Sequence, residues 1–229
     1  LGDAAQRDAE LSNTLSCGEG CGEFFPFGFG PGELPADQAE DNGRGLSFYS
    51  DALTEDQTIL GAPKLKLRLS CDRPKGQIIA RLSDVRPDGT AMLISLGLLH
   101  LRHRYGFESK VDCVPDETFE AEITLDQSAY HLPIGHKLCV SLSTSYWPYC
   151  WPEGEAFSLS ISQGEIEIPL CPSTAVELDF APPPPVETRD IKLHSETKES
   201  KGWDTLEDGT RVLTITGERG RREDVASGV

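Results

Sequence analysis

The chain has 229 residues, 38% of them hydrophobic, enough for one large β domain or for a domain with an appendage. Its formal charge is −17, from 21 basic against 38 acidic side chains, which argues against nucleic acid as a partner, because phosphate binding needs basic patches. No apolar run approaches the ~20 residues of a membrane span, and the polar opening Leu1-Gly-Asp-Ala-Ala-Gln6 has no hydrophobic signal core.

In chain order, residues 1–15 carry Ala and Glu with few breakers and read as a short helix. Residues 16–45 are rich in Gly and Pro, with Phe24, Phe25, Phe27 and Phe29 as apolar anchors. They read as an irregular arm laid on a surface, since a loose arm with four phenylalanines would be sticky. From Leu46 the apolar residues recur at period two, the mark of strands. Lys64 to Leu69, Phe119 to Leu125, Leu138 to Leu142, Phe157 to Ile161 and Ile166 to Leu170 alternate cleanly. Gln77 to Val85 and Thr90 to Arg104 are further strands, joined by a turn at Pro87-Asp-Gly89, and Ser162-Gln-Gly164 reads as a second tight turn. Short strands with one wet face and no long helical pattern between them give an all-β, antiparallel sandwich. Connections of uneven length suit a jelly roll better than a meander. After the proline run Pro182 to Pro185, Thr188 to Leu193 and Arg211 to Thr216 read as the strands of a hairpin around Asp208-Gly209, followed by a charged, frayed tail. The division is therefore an arm or interdomain linker at 1–45, a jelly-roll domain at 46–180 and a C-terminal extension at 186–229.

The seven cysteines, Cys17, Cys21, Cys71, Cys113, Cys139, Cys150 and Cys171, are odd in number and scattered. That argues against a disulfide framework and for a reducing, cytoplasmic setting. Cys17 and Cys21 lack a second Cys/His pair at similar spacing, so no metal or other cofactor is expected.

Catalysis finds no footing. There is no Gly-x-Ser-x-Gly elbow and no phosphate loop. His100 and His103 are three apart on an expected strand and so face opposite sides. His131 and His136 flank a turn, Leu-Pro-Ile-Gly, and read as structural. The pairs Glu120/Glu122 and Glu165/Glu167 sit on wet strand faces, where charge is expected. No catalytic residue is assigned.

Five stretches, taken in order, resemble the C-terminal β domain of the cocaine-esterase-like and X-prolyl dipeptidyl-peptidase serine hydrolases. They are Leu53-Thr-Glu-Asp-Gln-Thr-Ile-Leu-Gly-Ala-Pro63, Ala80 to Thr90, Ser95 to Arg104, Tyr130 to Leu138 and Ser141 to Pro152. Gly30 to Gln38 is similar to that family's interdomain segment, and the likeness spans roughly residues 16–172. The resemblance implies a jelly roll of galactose-binding-domain type following an α/β-hydrolase domain that carries the Ser-Asp-His triad. No triad motif has a counterpart here. The implied role is a non-catalytic accessory domain of an acyl esterase or X-Pro dipeptidyl-peptidase, with the α/β-hydrolase domain of the same parent chain as partner and a homodimer left open.

The densest feature is Ser145-Tyr-Trp-Pro-Tyr-Cys-Trp-Pro-Glu-Gly154, with four aromatic residues and two prolines in ten positions. Tyr146, Trp147, Tyr149 and Trp151 are candidates for an interdomain contact or the rim of a substrate site, because Trp and Tyr combine large apolar area with a polar handle. Packing within the domain is the plainer use of the same loop. A free-standing carbohydrate-binding jelly roll, with these rings as a sugar platform, is the alternative function.

Overall fold

The computed structural model describes residues 9–12, 16–26, 33–171, 181–182, 191–193, 198–218 and 222–224. The chain divides into two compact units, Leu1–Ala175 and Val176–Val229.

The first unit contains β1 (Ala9–Ser12), the short helix α1 (Ala39–Arg44), β2 (Leu46–Tyr49), β3 (Gln57–Gly61), β4 (Lys64–Cys71), β5 (Gln77–Val85), β6 (Ala91–His100), β7 (Phe119–Thr124), β8 (Ser128–Leu132), β9 (Lys137–Ser143) and β10 (Ser158–Glu167). One sheet has the order β1-β10-β4-β7 and another β2-β9-β5-β6, and β3 pairs with β8. These pairings are antiparallel. The alternation in β4 points Leu65, Leu67 and Leu69 inward, where they join Leu159 and Ile161 of β10. Ile78, Ala80 and Leu82 of β5 and Leu138 and Leu142 of β9 meet them in the same core. The two four-stranded sheets thus form a sandwich, each buried Leu or Ile contributing about 1.5–3 kcal/mol. On the wet face, Lys64 pairs with Glu122 and Lys66 with Glu167 at 3.4 and 2.5 Å. Two of the four strand carboxylates weighed as an acid–base pair are thus spent on exposed cross-strand ion pairs, which contribute little to stability.

Three expectations for the first unit are corrected. Within residues 1–15, Ala9–Ser12 form β1, not a helix, because Leu11 is drawn into the core and the backbone pairs with β10. Residues 1–8 and 13–15 lie outside the described residues. The turn expected at Ser162-Gln-Gly164 is a β-bulge inside one long strand. Ile161 pairs with Leu69 and Gln163 with Arg68, so Ser162 is the extra residue that shifts the inward parity from odd to even positions. The strand expected over Thr90 to Arg104 stops at His100 and becomes a 3-10 turn, Leu101–His103. That turn brings His100 and His103 together, ring centroids 6.0 Å apart, rather than on opposite faces.

The second unit holds β11 (Ile191–Leu193), β12 (Lys198–Thr205), β13 (Arg211–Glu218) and β14 (Arg222–Asp224). The hairpin around Asp208-Gly209 joins β12 to β13, not Thr188–Leu193 to Arg211–Thr216. Leu206 donates to the Thr210 carbonyl at 2.8 Å, and Gly209 takes φ +82° in the turn. The tail is not simply frayed, since Arg222–Asp224 pairs with β11. The prolines Pro183 to Pro185 lie outside the described residues. Among the described residues no helix is long and apolar enough to cross a membrane.

Candidate functional site

Strand β5 is buried on both faces. Its core face carries Ile78, Ala80 and Leu82, and its other face carries Gln77, Ile79 and Arg81. The arm and the aromatic loop after β9 cover that second face, where Cys17, Cys21, Ile79, Leu96 and Tyr146 form a separate apolar cluster.

Tyr146 is fully buried, and its hydroxyl donates to Gln38 Oε1 at 2.5 Å. Gln38, also fully buried, donates from Nε2 to the Gly20 and Ala36 carbonyls at 2.6 and 2.9 Å. The Arg81 guanidinium lies over the Tyr146 ring, 4.7 Å from its centroid. Arg81 Nη2 donates to the Asp41 carbonyl at 3.1 Å and to Ser141 Oγ at 2.9 Å. Asp41, in α1, accepts from the Gly18 and Gly20 backbone N–H groups, each at 2.9 Å, so a buried carboxylate holds the Cys-Gly-Glu-Gly-Cys turn in place. Arg44 closes this polar layer with the Ser16 carbonyl at 3.1 Å, Glu19 at 3.0 Å, Asp41 at 3.4 Å and Glu40. Burial pushes the Tyr146 phenol well above its ordinary range, with Arg81 pulling the other way.

The loop beyond Tyr146 folds back on itself. Tyr146 and Cys150 exchange backbone hydrogen bonds at 3.1 and 2.8 Å, and the Trp147–Pro148 peptide is cis. Gln77 Nε2 donates to the Thr144 and Trp151 carbonyls at 2.8 and 2.5 Å, clamping both ends of the loop. The loop also locks onto the arm, with Trp147 N–H donating to the Cys17 carbonyl at 3.3 Å and the Cys21 thiol to the Trp147 carbonyl at 2.8 Å. Gly18, at φ +118°, makes that approach feasible, since a Cβ there would lie 2.2 Å from the Trp147 carbonyl oxygen. His100 Nε2 and Glu153 Oε1, 2.8 Å apart, tie the loop's far end to β6.

The four aromatic candidates thus divide. Tyr146 serves internal packing. Tyr149 stacks on it at 6.0 Å and meets the edge of Phe24 at 5.9 Å. Trp147 and Trp151 meet edge to face at 4.1 Å. Trp147 and Tyr149 are half-buried, whereas Phe24, Phe25, Leu34 and Trp151 are 63 to 70% exposed. Phe27 and Phe29 lie outside the described residues.

The histidines are drawn to carboxylates or backbone. His131 is 3.9 Å from Asp56, and His103 Nδ1 is 3.4 Å from the Gly106 carbonyl. His136 Nδ1 is 2.8 Å from buried Asp84, whose second oxygen accepts from the Tyr130 hydroxyl at 2.9 Å. His194 lies outside the described residues. Among the described residues no group of three or more His, Cys, Asp or Glu side chains is arranged to hold a metal ion. Sequence reasoning missed Gln38, Asp41, Gln77 and Arg81. One signal was available: Arg81 is a charge flanked by the apolar run Ile78-Ile79-Ala80 and Leu82 of β5, a setting in which a buried charge needs partners.

Residues 3–201 match the family described as the X-Pro dipeptidyl-peptidase C-terminal non-catalytic domain. The chain is 30% identical over 117 residues to a cocaine esterase of Rhodococcus sp. (strain MB1 Bresler), covering 50% of this chain and 20% of that protein. It is also 30% identical over 82 residues to an Xaa-Pro dipeptidyl-peptidase of Lactobacillus helveticus (strain DPC 4571), covering 34% of this chain and 10% of that protein. Among solved structures, an α-amino acid ester hydrolase aligns with TM-score 0.59 at 18% identity, over 72% of this chain and 32% of that one. An aminopeptidase from a marine sediment archaeon, Thaumarchaeota archaeon, aligns with TM-score 0.61 at 18% identity, over 75% and 34%. At that identity the structural likeness concerns the fold. The chain spans a fifth or less of the two curated relatives and about a third of the two structures. A carbohydrate-binding module finds no support among these relatives.

Proposed function

The chain belongs to the family of X-Pro dipeptidyl-peptidase C-terminal non-catalytic domains, and on that premise we propose that it serves an α/β-hydrolase domain of the same polypeptide. It docks there through the face formed by the arm and the aromatic loop, and it shapes substrate access. Hydrolysis of an ester or X-Pro bond would be carried by a Ser-His-Asp triad in that other domain. Trp147, Tyr149 and Trp151 would form the rim, with Tyr146 as the buried post beneath them. The observation that carries this reading is the exposed apolar surface of Phe24, Phe25, Leu34 and Trp151, braced from below by hydrogen bonds to the main chain of the loop and arm. We assign the sandwich to the jelly-roll, galactose-binding-like type, a reading supported by the out-of-order strand neighbours in both four-stranded sheets. The proposed division remains 1–45, 46–180 and 186–229.

A serine-directed fluorophosphonate tests the proposal. The isolated chain should neither label nor hydrolyse an ester or X-Pro substrate, and the longer polypeptide should label at one serine outside residues 1–229. In that polypeptide Trp151→Ala should raise KM roughly tenfold, the ~1.4 kcal/mol of one rim aromatic, with labelling retained. Labelling of the isolated chain on one of its own serines would refute the assignment.

A further inference from the structure

Cys71 closes β4, and Cys113 lies in the long loop that precedes β7. From Tyr105 to Thr118 every other residue of that loop is exposed, yet Cys113 is 3% exposed and Cys71 is fully buried. Two backbone hydrogen bonds hold the segments side by side, Cys113 N–H to the Pro74 carbonyl at 2.7 Å and Asp116 N–H to the Cys71 carbonyl at 2.9 Å. Both side chains lie in the same buried cluster, close enough for each thiol to shift the other's ionisation. Arg104 Nη1 stands 3.8 Å from Cys113 Sγ. No disulfide joins them.

We propose that Cys71 and Cys113 form a thiol-oxidation site, a dithiol that reacts with a low-molecular-weight disulfide and closes to an intramolecular disulfide pinning the exposed loop to the end of β4. The roles of the two sulfurs differ. The interaction with Cys71, then the Arg104 charge, hold the Cys113 thiol below its ordinary value against the opposing effect of burial. The same interaction, then burial, push Cys71 up. Cys113 thiolate therefore attacks first, breaking the reagent's S–S bond and releasing one thiolate. Cys71 then passes its proton to the released thiolate and attacks Cys113 Sγ, expelling the second thiolate, which takes a proton from water. Two protein thiols are oxidised by two electrons, and one small disulfide is reduced to two thiols.

Oxidised glutathione at neutral pH is the probe, applied to the full chain, followed by alkylation and peptide mapping without reductant. The expected product is a peptide pair joined through Cys71 and Cys113, reversed by dithiothreitol and absent in Cys113→Ser. Closing a loop of about 40 residues should raise Tm by roughly 5–10 °C. Half-buried Cys150 and Cys171 report that the reagent is competent. Glutathione on either of them with Cys71 and Cys113 both left alkylatable overturns the proposal. So does a mixed disulfide that stays on Cys113 without closing on Cys71.

Discussion

The Tyr146 hydroxyl is a single atom joining loop to arm through Gln38 Oε1. Tyr146→Phe should cost about 1–2 kcal/mol, since it leaves a buried amide oxygen short of a donor. Tyr146→Ala should cost about 3–5 kcal/mol by removing the ring beneath Arg81. Trp151→Ala, at an exposed position, should change the stability of the isolated chain by no more than about 0.5 kcal/mol. Urea unfolding of the three variants separates the buried post from the rim. Tyr130 gives a pH signature. Burial, then the Asp84 hydrogen bond, push its phenol up to about 12, whereas an unfolded tyrosine ionises near pH 10. The folded state therefore favours the protonated phenol. Its contribution is complete below about pH 10 and is lost as pH rises toward 12. Tyr146 shifts in the same direction. Stability should fall through that alkaline window, and less steeply in Tyr130→Phe, followed by denaturation at fixed pH steps. The four aromatics of the loop were legible in the sequence. Which of them is buried was not, because that depends on Gln38 and Arg81, 108 and 65 positions away.

At the scale of elements, clean alternation made β4, β7 and β9 readable, since side chains along a strand repeat every two residues. The errors fell where that rule is broken by long-range pairing. Ala9–Ser12 has helical composition, but an open edge of β10 and a socket for Leu11 outweigh propensity. The parity break at Ser162 looks the same in sequence whether a turn or a bulge absorbs it. Pairing of both halves of β10 with β4 selects the bulge. The arm is the element on which the site depends, and Gly18 is its tightest point. Gly18→Ala should cost about 2 kcal/mol or more, from the positive φ and the clash with the Trp147 carbonyl. Limited proteolysis should then cut within residues 16–45 under conditions in which the parent arm resists. Equal resistance would mean that the arm is held elsewhere.

For the molecule as a whole, the residues alone identified a β sandwich without visible catalytic machinery, and the ordered motifs from Leu53 to Pro152 identified the family. The proposed role could not be read from local chemistry, because the reacting groups it requires would lie in another domain. The structure adds a face: an apolar, aromatic surface on the side of β5 away from the core, stiffened by Arg81, Asp41 and Gln38. Hydroxyl-radical footprinting of that face is the most direct test, comparing the isolated chain with a longer polypeptide carrying the proposed hydrolase domain. Phe24, Phe25 and Trp151 should be oxidised readily in the isolated chain and at least several-fold more slowly in the longer polypeptide, while exposed Phe107, on another loop, reacts equally in both. Equal oxidation of Phe24, Phe25 and Trp151 in the two samples would contradict docking through this face.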